Sequence, residues 1–195
     1  MDQHEGLAVL PFASKAAWAR WLQRSHAKAE GVWIAFAKKG TGVATVSYEE
    51  ARDVALAHAW IDGLKHARDE TWYLIRFTPR RARSKWSKIN REIAEQLIAA
   101  GTMKPAGLAQ VEAAKADGRW AAAYDSPSKM ELHPDFATAL ERSPKAKAFF
   151  ATISGANRYS FMHQVHDAKR EETRARRIEK FVAMLERGEV PHPGR

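Results

Sequence analysis

Apolar positions along this 195-residue chain fall into two spacings, one that marks helices and one that marks strands. Residues 1–12 follow neither and are read as a flexible lead-in. Ser14 stands where a helix cap would, ahead of Trp18, Trp21 and Leu22 at intervals of three and four, and the helix runs to about Lys28. From Gly31 to Lys38, Val32, Ile34 and Phe36 alternate with Trp33, Ala35 and Ala37, which is the period of a strand. Ser47 with Glu50 makes a capping-box pattern. It opens a helix carrying Val54, Ala55, Leu56, Ala57 and Ala59, apolar nearly all round and therefore expected to be central.

A hairpin follows, WIDGLKH and TWYLIRFT joined by ARDE. On its second strand Tyr73, Ile75 and Phe77 share one face, and Trp72, Leu74 and Arg76 the other. The expected register sets Asp62 opposite Arg76, Leu64 opposite Leu74 and Ile61 opposite Phe77. Beyond Pro79, helices are predicted from Trp86 to Ala100, with Gly101 as the stop, and from Pro105 to about Asp117. The proline-bearing stretch DSPSKMELHP then reads as a boundary. The remainder is helical: Pro134 to Arg142, a helix opened by Ser143-Pro144, a third capped by Asn157, and a fourth from Glu171 to Arg187 that stops at Gly188. The fold class is α+β, mostly helical, with a small antiparallel or mixed sheet packed by helices and an all-helical C-terminal module. The expected divisions are the lead-in 1–12, an α+β body 13–125, a linker 126–133, the helical module 134–188 and a tail 189–195.

Composition narrows the function classes. There is no cysteine, which removes thiol catalysis, zinc ribbons and a disulfide framework. No apolar run is long enough to span a membrane and the first thirty residues lack a signal-peptide pattern, so a cytoplasmic location is expected. Lys and Arg number 32 against 23 acids, a formal net charge of +9 that favours anionic partners. Much of the excess is local: RFTPRRARSKWSKINR, Arg76 to Arg91, holds seven basic residues and no acid. The run KREETRARRIEK mixes both signs at helical spacing and reads as a solvated helix face.

Four strings, HAWIDGLK, FTPRRARSKWSKINR, AKADGRW and RARRIEKFVAMLERG, occur in an order that resembles the YdeI/OmpD-associated, or bacteriocin-protection, family over about residues 12–188. The resemblance implies a bacterial protein linked to envelope stress or to tolerance of antimicrobial peptides and bacteriocins. It implies no reaction, cofactor or catalytic residue.

The sharpest candidate site is the basic loop and its neighbours: Arg76, Arg80 and Arg81 converging near Trp60, Asp62, Trp86 and Asn90. Arginine forks bind carboxylate or phosphate at two points, and a tryptophan face stacks on a ring, so the set suits a small anionic ligand. Asp62 would hold Arg76 in place and leave the other arginines free. The competing reading makes the acid and arginine a structural ion pair and the tryptophans core packing.

Lys38-Lys39-Gly40-Thr41-Gly42 lacks the spacing of a phosphate loop and is read as a turn. His163, His166 and Asp167 have a ligand-like spacing but are read as packed or surface residues, and His58 as a satisfied core histidine, so no metal, cofactor or catalytic residue is assigned. The favoured function is a non-enzymatic stress-adaptation protein that binds a small anionic ligand. The alternatives are an enzyme using the same pocket, a nucleic-acid-binding protein, and protein docking through the C-terminal helices.

Overall fold

The computed structural model describes residues 2–192, which form two compact units that divide between Tyr124 and Asp125. Eight helices and five strands are present among the described residues, an α+β fold with a mixed sheet. No helix among them is long and apolar enough to cross a membrane.

The first unit runs β1 (Gln3–His4), β2 (Leu7–Pro11), α1 (Lys15–Ser25), β3 (Val32–Ala37), α2 (Tyr48–Ala57), β4 (Trp60–Ala67), β5 (Trp72–Pro79), α3 (Lys88–Ala99) and α4 (Pro105–Ala116). Strand order is β1-β2-β3-β5-β4, with β2 and β3 parallel and every other pair antiparallel. The lead-in reading of residues 1–12 is corrected by β1 and β2, although Met1 lies outside the described residues. LAVLP is too short to show a period, and its partner β3 is more than twenty residues away in the chain.

β3 is buried on both faces. Val32, Ile34 and Phe36 join Ile75, Phe77 and Trp60 beneath Trp18 and Leu22 of α1 and Ala51, Val54 and Ala55 of α2. Trp33 and Ala35 face the other way with Val9 and Leu74. α2 is apolar all round because it serves two cores: Val54 and Ala55 pack on the sheet, while Leu56 and Ala57 pack with Ile93, Ala94, Val111 and Ala114 of α3 and α4. Ser14, Ser47 and Ser87 each accept a backbone N–H at a helix start, and at Ser47 the full capping box forms with Glu50.

The hairpin register differs from the expected one. Trp60, Ile61 and Asp62 lie opposite Pro79, Thr78 and Phe77, whereas Lys65, His66 and Ala67 lie opposite Ile75, Leu74 and Tyr73. Between these runs Gly63 and Leu64 face only Arg76, so β4 carries one extra residue, a β-bulge. Directly opposed residues share a face, so Asp62 follows Phe77 to the helix-covered side and cannot pair with Arg76, which follows Trp33 to the other side.

The second unit holds α5 (Pro134–Glu141), α6 (Pro144–Thr152), α7 (Gly155–His166) and α8 (Glu171–Glu186) around Phe136, Leu140, Phe161, Phe181 and Leu185. Asn157 is not the cap of α7. Ser154 takes that role, and Asn157, one turn in, bonds Ser154 through Nδ2 and accepts the His192 N–H at 3.1 Å. Of the expected tail 189–195, residues 193–195 lie outside the described residues.

Candidate functional site

The seven residues singled out from the sequence separate into distinct places. Trp60 is buried in the sheet core, where its Nε1–H donates to the His26 carbonyl at 3.0 Å. Arg76 lies on the opposite face, its guanidinium carbon 5.9 Å from the Trp33 ring and Nη1 3.9 Å from Glu5 Oε2. Arg80 and Trp86 do come together: the guanidinium lies 3.9 Å from the ring centroid, and Nη2 donates to the carbonyls of Lys85 and Ser84 at 2.9 and 3.4 Å. Arg80 is 6% exposed, and burial together with the repulsion of Arg119 lowers its pKa to about 10. Its charge is engaged in holding this turn. Arg81 is exposed, its N–H bonded to Ser84 Oγ, and Asn90 is buried in the first turn of α3, its N–H capped by Ser87.

Asp62 lies elsewhere again, in a cleft of about 540 Å³ between the start of α2, the segment after β3 and the bulged strand β4. Tyr48, the first residue of α2, donates its hydroxyl to Asp62 Oδ2 at 2.8 Å. Burial, reinforced by the Asp62 charge and that hydrogen bond, holds the Tyr48 phenol well above the ordinary range. Tyr48 therefore stays a neutral donor and fixes the carboxylate. Across the cleft Tyr73 stacks on Phe36, ring centroids 5.3 Å apart and 17° between planes, while Lys65 Nζ sits 4.5 Å over the Tyr73 ring. Burial, then the Glu49 charge, raises the Tyr73 phenol as well. Lys39 lines the rim.

In a regular strand Asp62 and Lys65, three apart, would point to opposite faces. The bulge at Gly63 and Leu64 puts both on the cleft side and sends His66 to the other. The Lys38–Gly42 segment is a turn, closed by Thr41 Oγ1 donating to the Lys38 carbonyl at 2.9 Å, with Gly40 and Gly42 at positive φ. Chemically the cleft offers two ammonium groups, two carboxylates and an aromatic face, which suits binding and orientation of a polar small molecule. Neither phenol is disposed to ionise, which argues against phenolate chemistry.

His58 is a satisfied core histidine: 6% exposed, with Nδ1 2.9 Å from the Val54 carbonyl. His166 Nε2 lies 2.8 Å from the Glu131 carbonyl, and Asp167 Oδ2 lies 3.8 Å from Arg177. The group among the described residues that could hold a metal is a different one, His4, Glu5 and His66, on the Trp33 face.

The family described as a domain of unknown function, DUF8412, matches residues 10–110, and that described as Bacteriocin-protection, YdeI or OmpD-Associated matches residues 129–188. The chain belongs to the DUF8412 family and carries a YdeI/OmpD-associated domain. The likeness expected over residues 12–188 thus divides: the YdeI/OmpD-associated match covers the helical second unit from residue 129, and the cleft lies wholly within the DUF8412 match. No curated protein and no solved structure matches the chain.

Proposed function

We propose that this is a non-enzymatic stress-adaptation protein of the bacteriocin-protection type, and that its DUF8412 domain binds a small ligand bearing an anionic group and a flat ring. The observation that carries the reading is the 540 Å³ cleft, lined by Lys39 and Glu49, in which Lys65 lies over the Tyr73 ring and Tyr48 locks Asp62. The lysines are matched to a carboxylate or phosphate, Tyr73 to the ring once Lys65 turns from it to that anion, and Asp62 and Glu49 to hydroxyl or ammonium donors on the same molecule. The ligand class is that expected from the sequence. Of the residues expected from the sequence only Asp62 is kept, because Arg76 and Arg80 are engaged with Glu5 and Trp86. Bacteriocin protection is the description of the matching second family, and it supplies the physiological setting.

Ligand-observed NMR with matched anionic, neutral and cationic ring compounds tests this. Anionic members should bind, and Lys65→Ala should weaken them roughly tenfold, as loss of a charge-assisted hydrogen bond does. Arg81→Ala should leave binding unchanged. Equal binding of neutral and cationic analogues, or loss of binding in the Arg81 variant with Lys65→Ala unaffected, would refute it.

A further inference from the structure

The geometry points to a divalent transition-metal site on the face of the sheet away from the cleft, formed by His4, Glu5 and His66. One ligand atom from each residue lies within 4.8 Å of the others. Two features of the backbone bring them there. His4 is in β1 and His66 in β4, the first and last strands of the sheet, and their rings are nonetheless 5.0 Å apart, both edge-on to Trp33 at 4.7 and 5.3 Å. The bulge in β4 sets His66 opposite Leu74, on this face. Glu5 follows His4 directly and in extended chain would point away from it, but φ of 47° at Glu5 and 77° at Gly6 turns the chain back and brings its carboxylate beside the imidazole.

A second observation points to a ligand. His4 Nε2 is buried without a hydrogen-bond partner. A buried imidazole nitrogen without a partner is an unmet acceptor or donor, and a metal ion meets it. Two imidazoles and a carboxylate are the borderline N/O donors that zinc, cobalt(II) and nickel(II) favour, and three protein ligands leave a coordination position open. Metal–ligand distances of about 2.0–2.1 Å place tetrahedral donors roughly 3.4 Å apart, so the site must close by about an ångström. Glu5 is exposed, and its side chain can make that movement by giving up part of its ion pair with Arg76.

Arg76 sets the strength of the site. Its Nη1 lies 3.9 Å from Glu5 Oε2, so a cation must share the carboxylate with a guanidinium already present. The ion would bind modestly, tie β1 to β4 across Trp33, and bind better once the guanidinium is removed.

The test uses the untagged full-length chain, Zn²⁺ in competition with a chromophoric chelator, and the visible spectrum of the Co²⁺ form, with far-UV circular dichroism confirming that each variant is folded. One ion per chain is expected, with a rise in Tm when Zn²⁺ is in excess of its Kd. His4→Gln, Glu5→Gln and His66→Gln should each weaken binding at least tenfold, Arg76→Gln should tighten it severalfold, and His133→Gln, at the separate His133–His166 pair, should change nothing. Failure to bind at millimolar Zn²⁺, or binding that survives His66→Gln, or binding abolished by His133→Gln, would overturn the assignment.

Discussion

Gly107→Ala sets two opposed effects against each other, and the structure says which wins. Gly107 lies in α4, where alanine's greater helix propensity alone would stabilise by up to about 1 kcal/mol. A Cβ built there, however, would lie 2.5 Å from the Ala57 carbonyl oxygen, 2.9 Å from that of Leu56 and 2.5 Å from Met103 Sδ. The methionine can swing aside, but the two carbonyls end α2 and cannot. α4 would have to move off α2 by roughly 0.5–0.9 Å, and overpacking of that kind costs about 1–3 kcal/mol. The Lys104 N–H bond to the Ala57 carbonyl, 3.1 Å long, would be strained as well, at a further ~1 kcal/mol if lost. The net expectation is a destabilisation of about 1–3 kcal/mol. All seven tryptophans precede Asp125, so fluorescence excited selectively at tryptophan during urea unfolding reports from the first unit, whereas tyrosine emission would include Tyr159 of the second. The tryptophan-detected midpoint should fall with the slope unchanged. Gly155→Ala, whose Cβ would meet nothing within 4 Å, should leave that midpoint where it is. A midpoint raised or unmoved by Gly107→Ala would refute the argument from close approach.

The buried state of His58 predicts a pH dependence. Burial lowers its pKa, so below about pH 6.5 the unfolded chain takes up a proton that the folded one refuses, and stability present above that pH declines as the pH falls through this window. The fluorescence-detected urea midpoint should therefore drop between pH 7.5 and 5.5, and drop less in His58→Gln; equal drops would exclude His58 as a source. Arg80→Lys should destabilise the same transition by about 1–3 kcal/mol, because an ammonium neither stacks flat on Trp86 nor spans the Ser84 and Lys85 carbonyls as the guanidinium does. Arg80→Met, which fills the volume without burying a charge, should be milder, and a lysine variant as stable as the wild type would contradict the role given to the stack.

What could be read from the sequence was what is decided locally. The capping box at Ser47 and Glu50 depends on residues three apart, and the alternation from Val32 to Phe36 on one pleated segment. The all-apolar character of α2 was a sound sign of centrality because Leu56 and Ala57 reach a second core. Misplacements came from non-local pairing. β2 is a strand because β3 lies beside it, and nothing within LAVLP announces that. The Asp62–Arg76 pairing assumed an unbroken ladder, and one extra residue in β4 separated the two by the thickness of the sheet. Gly63, mid-strand and small, was the available signal of that irregularity. Without it, Tyr48, Lys65 and Tyr73 could not be assembled around Asp62 from spacing alone, nor His66 beside His4 and Glu5.

The same irregularity bears on how these molecules behave in a crowd. β4 is the last strand of the sheet, so its outer row of amide and carbonyl groups faces solvent beside the exposed Leu64. A neighbouring polypeptide trying to zip onto that border would find the hydrogen-bonding rhythm interrupted halfway along and a lysine beside the gap. The kink that puts Asp62 and Lys65 on one face and His66 on the other thus also interrupts the border along which a second sheet would extend this one.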